Sequence, residues 1–161
     1  MNIFYLHPNP NEAPRYLYNK HSVKMVLETA QILCTAHQVI AEETGINTDY
    51  IPYRKAYYNH PSCVWARQSK ANYEWLFDYF RSLSIEYFNR YGRIHQSWVK
   101  CRHLKVPYGI PNTEFTQPPQ CMPDKFKEDC AVQGYWNYYI HDKKHIASEQ
   151  EMRWYIKPLD I

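Results

Sequence analysis

The stretch HSVKMVLETAQILCTAHQVIAEE, residues 21 to 43, decides the fold. Its apolar residues Val23, Val26, Leu27, Ala30, Leu33, Cys34 and Ile40 recur at intervals of three and four, the helical period. Plotted at about 100° per residue, they cover roughly two thirds of the circumference, as expected of a helix buried between neighbours. Asn19 is placed to cap this helix and Gly45 to stop it. One narrow polar stripe remains, carrying His21, Lys24, Glu28, Gln31, Thr35 and Glu42. On it His21 and Glu28, seven apart, share a face two turns from each other.

A second helical stretch opens at Pro61, a residue favoured at the first helical position, and runs to Gly92 with a break expected near Ser69. It carries Val64, Trp65, Tyr73, Leu76, Phe77, Phe80, Leu83, Ile85 and Phe88, which with the first helix supply the core. A shorter helix is expected from Arg93 to Leu104. A last one is expected from Asp129 to Ser148, bearing Val132, Tyr135, Trp136, Tyr139 and Ile140, with a tail containing Met152, Trp154, Tyr155 and Ile156 packing back. Before the first helix, Met1 to Leu6 reads as a short strand or a packed arm. His7-Pro8-Asn9-Pro10-Asn11 forbids a helix, and a helical turn is expected over Glu12 to Tyr18. Residues 105 to 129 hold five prolines and no period, so they read as a loop wrapped on the surface, where function often resides. The fold class is therefore all-α: a compact bundle of about four helices with a long Pro-rich loop, in a single helical domain spanning 1–161.

Composition bounds the function. Of 161 residues, 45% are hydrophobic and 17% aromatic, enough to offset chain entropy without disulfides or a structural metal, which excludes a disordered chain. Five cysteines without a CxxC pair, following no signal-peptide-like N-terminus, point to a reducing compartment and a cytoplasmic location. No apolar run approaches the roughly 20 residues that cross a bilayer, so no membrane partner is expected. Net charge is only +3, yet residues 50 to 105 hold ten Lys/Arg against three acids, and 14 of the 27 aromatics. That mixture suits a surface that neutralises phosphates and stacks on bases; it equally suits a core helix pair with solvated basic edges.

Among the candidate chemistries, a carboxylate at the edge of a buried helix suits acid/base or electrostatic work, which singles out Glu28; a solvated Lys24/Glu28 pair is the plainer alternative. His141 and His145 have the i, i+4 spacing of a metal pair. HDKKH lacks the glutamate of a zinc-protease helix, no third ligand is marked, and Lys143 and Lys144 repel a cation, so no metal is expected. His37 falls on the apolar face and reads as a hydrogen-bonded core histidine. No cysteine shows the basic neighbourhood of a nucleophile. With four glycines in all, the chain has no phosphate-cradling loop, and no cofactor is expected. The segment Tyr135-Trp136-Asn137-Tyr138-Tyr139 with Lys143 and Lys144 offers aromatic and cationic side chains to a splayed base, with Tyr138 and the lysines lying off the core stripe.

These residues resemble the pyrimidine-dimer DNA glycosylases of the endonuclease V type and their bacterial relatives. The run His21 to Glu28 is similar to that family's first helix, in which a histidine precedes the essential glutamate by seven residues. The Asn59-His60-Pro61 opening with Trp65 behind it resembles the entry to the next helix in the bacterial relatives, and Trp136-Asn137-Tyr138-Tyr139 a late aromatic segment that lies at the DNA. The resemblance implies that Glu28 is the catalytic carboxylate, that His21 contacts DNA and that His60 faces the same site. It also implies a nucleophilic α-amine, exposed in the family when Met1 is removed before a small residue. Here residue 2 is Asn, before which removal is poor, and Leu27 stands where the family places a basic residue.

The expectation is a phage-type, base-flipping DNA enzyme acting on double-stranded DNA or a nucleotide, with Glu28, His21 and His60 catalytic. Lys24, Arg54, Lys55, Arg67, Lys70, Tyr138, Lys143 and Lys144 would hold the nucleic acid. Two other readings stay open: a transferase that attaches groups to hypermodified pyrimidines of phage DNA, and a non-catalytic binder of a nucleotide or a partner.

Overall fold

A computed structural model describes residues 1–148; within them the chain forms five α-helices and three 3-10 turns and no strand. The helices are α1 (Asn19–Thr44), α2 (Pro61–Gln68), α3 (Lys70–Tyr91), α4 (Gln96–Cys101) and α5 (Ala131–His141). The all-α class read from the sequence is the observed one. Helix α1 is the central member and packs against α2, α3 and α4. Its buried residues Met25, Val26, Ala30, Ile32, Leu33, Cys34, Ala36 and Ile40 wrap most of the helix, as its near-complete apolar circumference demands. Gly45 ends it at φ +71°, a left-handed conformation open to glycine at little cost, with its N–H on the Ala41 carbonyl.

The break at Ser69 is real. Its backbone is extended (φ −149°, ψ 153°), and its hydroxyl accepts from the N–H of Asn72 at 3.0 Å, capping α3. Asn72 in turn donates to the Trp65 carbonyl and accepts from the Thr116 N–H at 2.9 Å, tying the α2/α3 corner to the Pro-rich loop. Two histidines serve as N-caps: Nδ1 of His60 accepts from Ser62 N–H, and Nδ1 of His95 from Ser97 N–H. The second cap starts α4 at Gln96 rather than Arg93, so this helix is shorter than its sequence suggests.

Several expectations need correction. Asn19 is the first residue of α1, and its side chain caps nothing; its Oδ1 accepts from Arg90 instead. Val23, Leu27, Ile85, Phe88 and Ile140, counted toward the core by their spacing, are exposed: among the described residues the packed neighbours cover other sectors of their helices. Helix α5 ends at His141, where the Tyr138 carbonyl takes the N–H groups of both Asp142 and Lys143, the second an i+5 bond that widens the last turn. Only a 3-10 turn at Lys144–Ile146 follows, so His141 and His145 do not share a helical face. The tail from Met152 to Ile156 lies outside the described residues.

Tyrosine builds the core. Tyr18, Tyr73, Tyr79, Tyr135 and Tyr139 are all buried, and each hydroxyl has a partner: Tyr18 with the Tyr139 carbonyl, Tyr73 with Nε2 of His37, Tyr79 with the Ile3 carbonyl, Tyr135 with Asn2, Tyr139 with the Tyr18 N–H. Such rings bury large apolar area while their polar ends stay satisfied. The aromatic richness of the sequence is thus spent mostly inside. Its cations are also partly structural: Lys70, Arg81 and Arg90 pair with Glu74, Asp78 and Glu86 on their own helix, and Lys55 pairs with Glu42. Arg90 further donates to the carbonyls of Leu17 and Arg15, fastening α3 to the segment ahead of α1.

Candidate functional site

Residues 1 to 6 form a packed arm. Ile3, Phe4, Tyr5 and Leu6 are buried, and the arm's carbonyls are taken by distant side chains: Ile3 by the Tyr79 hydroxyl (2.6 Å) and Leu6 by the Trp136 indole (2.9 Å). Phe4 turns the arm at φ +53°, a conformation unusual for a bulky residue, and its ring stacks on His21 at 4.3 Å and meets Tyr139 edge-on. Asn2 is held at both ends of its amide. It donates to the Cys121 carbonyl at 3.0 Å and accepts from the Tyr135 hydroxyl at 2.7 Å and from the Ile3 N–H at 2.8 Å.

This clamp fixes where residue 1 lies. The Met1 amine is 3.9 Å from Oε2 of Glu28, whose other oxygen is 3.1 Å from Nζ of Lys24. Glu28 is largely shielded, its side chain 15% exposed, while Lys24 reaches in from solvent. His60 is close enough to feel both groups: burial lowers its pKa first, the Met1 ammonium lowers it further, and the Glu28 carboxylate opposes them. An amine and a carboxylate therefore meet here, within electrostatic reach of an imidazole that favours its neutral form. A shallow groove runs from it, lined by His60, Pro61, Pro119, Gln120, Cys121, Met122 and Lys127.

His21 lies under the arm, against Phe4 and Tyr139. Its Nδ1 is 2.9 Å from the Tyr139 hydroxyl, and burial, aided by the charges of Lys143, Lys24 and His145, brings its pKa down to about 4. His37, buried between Tyr73 and Tyr50, is brought down to about 4 by burial as well. Both fold as neutral rings. Because the folded pKa lies below the unfolded value of about 6.5, protonation favours the unfolded chain; their stabilising share is whole above that pH and is lost as pH falls toward 4. At pH 5 the loss is about 2 kcal/mol per histidine. Thermal unfolding followed from pH 7 to pH 5 is expected to show a melting temperature falling by several degrees, and a flat profile would contradict the burial argument.

The structure sorts the sequence-derived contacts into two groups. Lys24, His60, Tyr138 and Lys143 gather around the arm: Tyr138 lies 6.4 Å from the Phe4 ring, Lys143 sits over the Tyr138 ring at 4.8 Å and pairs with Asp142 at 3.2 Å. Arg67 lies near the other end of α2, about 10 Å along its axis from His60, and Lys70 opens α3 beyond the break at Ser69. Arg67 donates to the Tyr58 carbonyl at 2.7 Å. Arg54 and Lys144 are exposed, and Lys55 is held by Glu42. Sequence reasoning missed the arm's clamp, Asn2 with Tyr135 and Cys121, and the loop wall from Pro119 to Met122. The loop's prolines were its only signal. Among the described residues no group of three or more His, Cys, Asp or Glu is placed to hold a metal ion, and no helix is long and apolar enough to cross a membrane.

Residues 1–100 match the family model described as pyrimidine dimer DNA glycosylase. The matched span takes in Met1, Asn2, His21, Lys24, Glu28 and His60 and ends before the Pro-rich loop and α5. No curated protein and no solved structure matches the chain.

Proposed function

The chain belongs to the pyrimidine dimer DNA glycosylase family, and we propose that it excises a base flipped out of double-stranded DNA, with Glu28 as its catalytic carboxylate and the Met1 amine as its nucleophile. The observation that carries this reading is the 3.9 Å approach of the Met1 nitrogen to Glu28 Oε2 in a partly enclosed spot beside His60. An amine and a carboxylate at that separation suit displacement at an anomeric carbon. The amine nitrogen, in its free-base form, bonds to C1′ as the bond from C1′ to the base breaks; the base leaves with the bonding electrons and takes up a proton. Glu28 stabilises the positive charge that grows on the sugar and takes the proton that the attacking nitrogen sheds. The C1′–O4′ bond then breaks, O4′ taking back the proton that Glu28 holds, and the nitrogen lone pair forms an iminium between Met1 and C1′.

In this reading His60 receives or returns protons at the leaving base. Its lowered pKa keeps a neutral ring available, and its cap bond to Ser62 fixes the ring's orientation. His21 has little surface left for a direct phosphate contact; its part is to hold Phe4 and so the arm. Lys24, Lys143, Lys144, Arg54, Lys55, Arg67 and Lys70 supply positive charge for the phosphate backbone, and Tyr138 an aromatic face.

The test is incubation of the protein with duplexes that carry a pyrimidine dimer, a modified pyrimidine or normal bases, reading free bases and strand masses by mass spectrometry. Cleavage of one glycosidic bond of the dimer is expected, with the normal duplex intact; because that pyrimidine stays joined to its neighbour through the dimer linkage, it is read in the strand mass and as free base only after photoreversal of the dimer. A mass gain on the DNA without base loss would replace excision by group transfer, and binding without any product would reduce the protein to a binder.

A further inference from the structure

Tyr57 is in a conformation that its own packing does not explain. Its φ is +46°, the left-handed region that glycine and asparagine adopt easily and a bulky ring does not, yet the residue is 75% exposed. A ring so exposed gains little from burial, so side-chain packing does not offset the strain of having tyrosine there. The backbone on either side cannot relax it away. Ala56 exchanges two hydrogen bonds with the Thr35 hydroxyl, its N–H donating at 3.1 Å and its carbonyl accepting at 3.2 Å. The Tyr58 carbonyl is held by Arg67 at 2.7 Å, and the Tyr57 carbonyl accepts from the His60 N–H at 2.8 Å. That last bond closes a turn whose ends lie within about 7 Å of each other. The backbone of Tyr57 is therefore one turn from that of His60, at the edge of the site. Tyr58, also exposed, carries Lys55 over its ring at 4.8 Å, so the same turn presents cations beside the aromatic surface.

We propose that Tyr57 is a DNA-contacting stacking residue, which lies against the nucleobase left unstacked when its neighbour is drawn toward His60 and Glu28. This rests on the base-flipping reading given above. Strain held at an exposed residue next to a site is the pattern expected where the side chain is kept for a ligand rather than for the fold. An aromatic face suits any base, and a flipped nucleotide leaves a gap whose flanking base has lost one stacking partner. The contact involves no phosphate, so it contributes affinity without adding to salt dependence.

The experiment compares wild type with Tyr57→Gly, Tyr57→Asn and Tyr57→Phe for affinity to a duplex bearing a pyrimidine dimer flanked by 2-aminopurine, at several salt concentrations, with thermal unfolding of each protein alongside. Glycine and asparagine suit the backbone, so both variants should melt close to wild type, and one of them suffices if the other fails to fold. The loss of one stacked base should weaken binding by roughly 5- to 150-fold with the salt slope unchanged, while Tyr57→Phe binds as wild type does. The 2-aminopurine signal that accompanies wild-type binding should be lost in parallel. Equal affinity of wild type and Tyr57→Gly, with wild type binding DNA firmly, would overturn the stacking role alone. Absence of any DNA binding by wild type would overturn it together with the reading it rests on.

Discussion

Replacing Glu28 with glutamine is expected to slow base release by about 10²- to 10⁴-fold, the span typical of a carboxylate that handles a proton or a developing charge in the transition state. The substitution keeps size and helix propensity, and the amide that replaces the carboxylate still fits the half-buried position on α1, so the fold should tolerate it. What is lost is one negative charge that now faces Lys24 at 3.1 Å and the Met1 nitrogen at 3.9 Å. DNA binding should survive and even tighten, since a negative charge has been removed from a surface that meets phosphates. Single-turnover base release measured beside a gel-shift titration separates the two effects. If Glu28→Gln released base at the wild-type rate, the carboxylate would be no more than the surface partner of Lys24.

How far this site was legible beforehand depends on how local its causes are. The stripe of α1 could be read because a helix turns spacing into a face, and His21, Lys24 and Glu28 need no information beyond their own helix to share it. The cap at His60 is equally local, set by Pro61 and Ser62 directly after it. Exposure is not local. Val23 and Leu27 fit the apolar period of α1 as well as Val26 does, and they stay exposed because, among the described residues, the neighbours of α1 cover its other sectors. Nor could composition tell a base-stacking tyrosine from a core tyrosine, because the difference lies in whether a remote carbonyl or imidazole meets the hydroxyl, as Ile3 does for Tyr79.

The arm is the extreme case. Met1 reaches Glu28 because Asn2 is clamped by Cys121 and Tyr135, 119 and 133 residues away in the chain, and because Phe4 accepts a strained backbone to stack on His21. Asparagine at position 2, which looked like an obstacle to an amine nucleophile, is the residue whose two-ended amide this clamp requires. No spacing rule relates these positions. The same lesson applies to the basic stretch of residues 50 to 105, where Arg90 proves to be a staple for backbone carbonyls rather than a hand for phosphate.

Extending the chain by one residue ahead of Met1 is expected to abolish borohydride trapping of the protein on DNA, a loss of at least about 100-fold set by how sharply covalent catalysis depends on position. Borohydride adds hydride to the carbon of an iminium and leaves a stable secondary amine, so a protein–DNA band forms only where an amine has bonded to C1′. One added residue moves the α-amine by up to about 3.5 Å, close to its whole separation from Glu28. Intact mass of the unextended protein shows whether Met1 is the residue that carries the amine. If Met1 is removed, the amine passes to Asn2, whose side chain is already committed to Cys121 and Tyr135, and it starts one residue farther from the carboxylate. Asn2→Leu tests the clamp itself: a large residue at position 2 keeps Met1, so the amine stays in place chemically but unpinned by Cys121 and Tyr135, and trapping should weaken while DNA affinity holds. The competing nucleophile is Lys24, whose Nζ is nearer to Glu28 than the amine is. Trapping that survives the extension and disappears in Lys24→Met would transfer the covalent step to that lysine, and a band lost with the extension but kept in Lys24→Met would leave it with Met1.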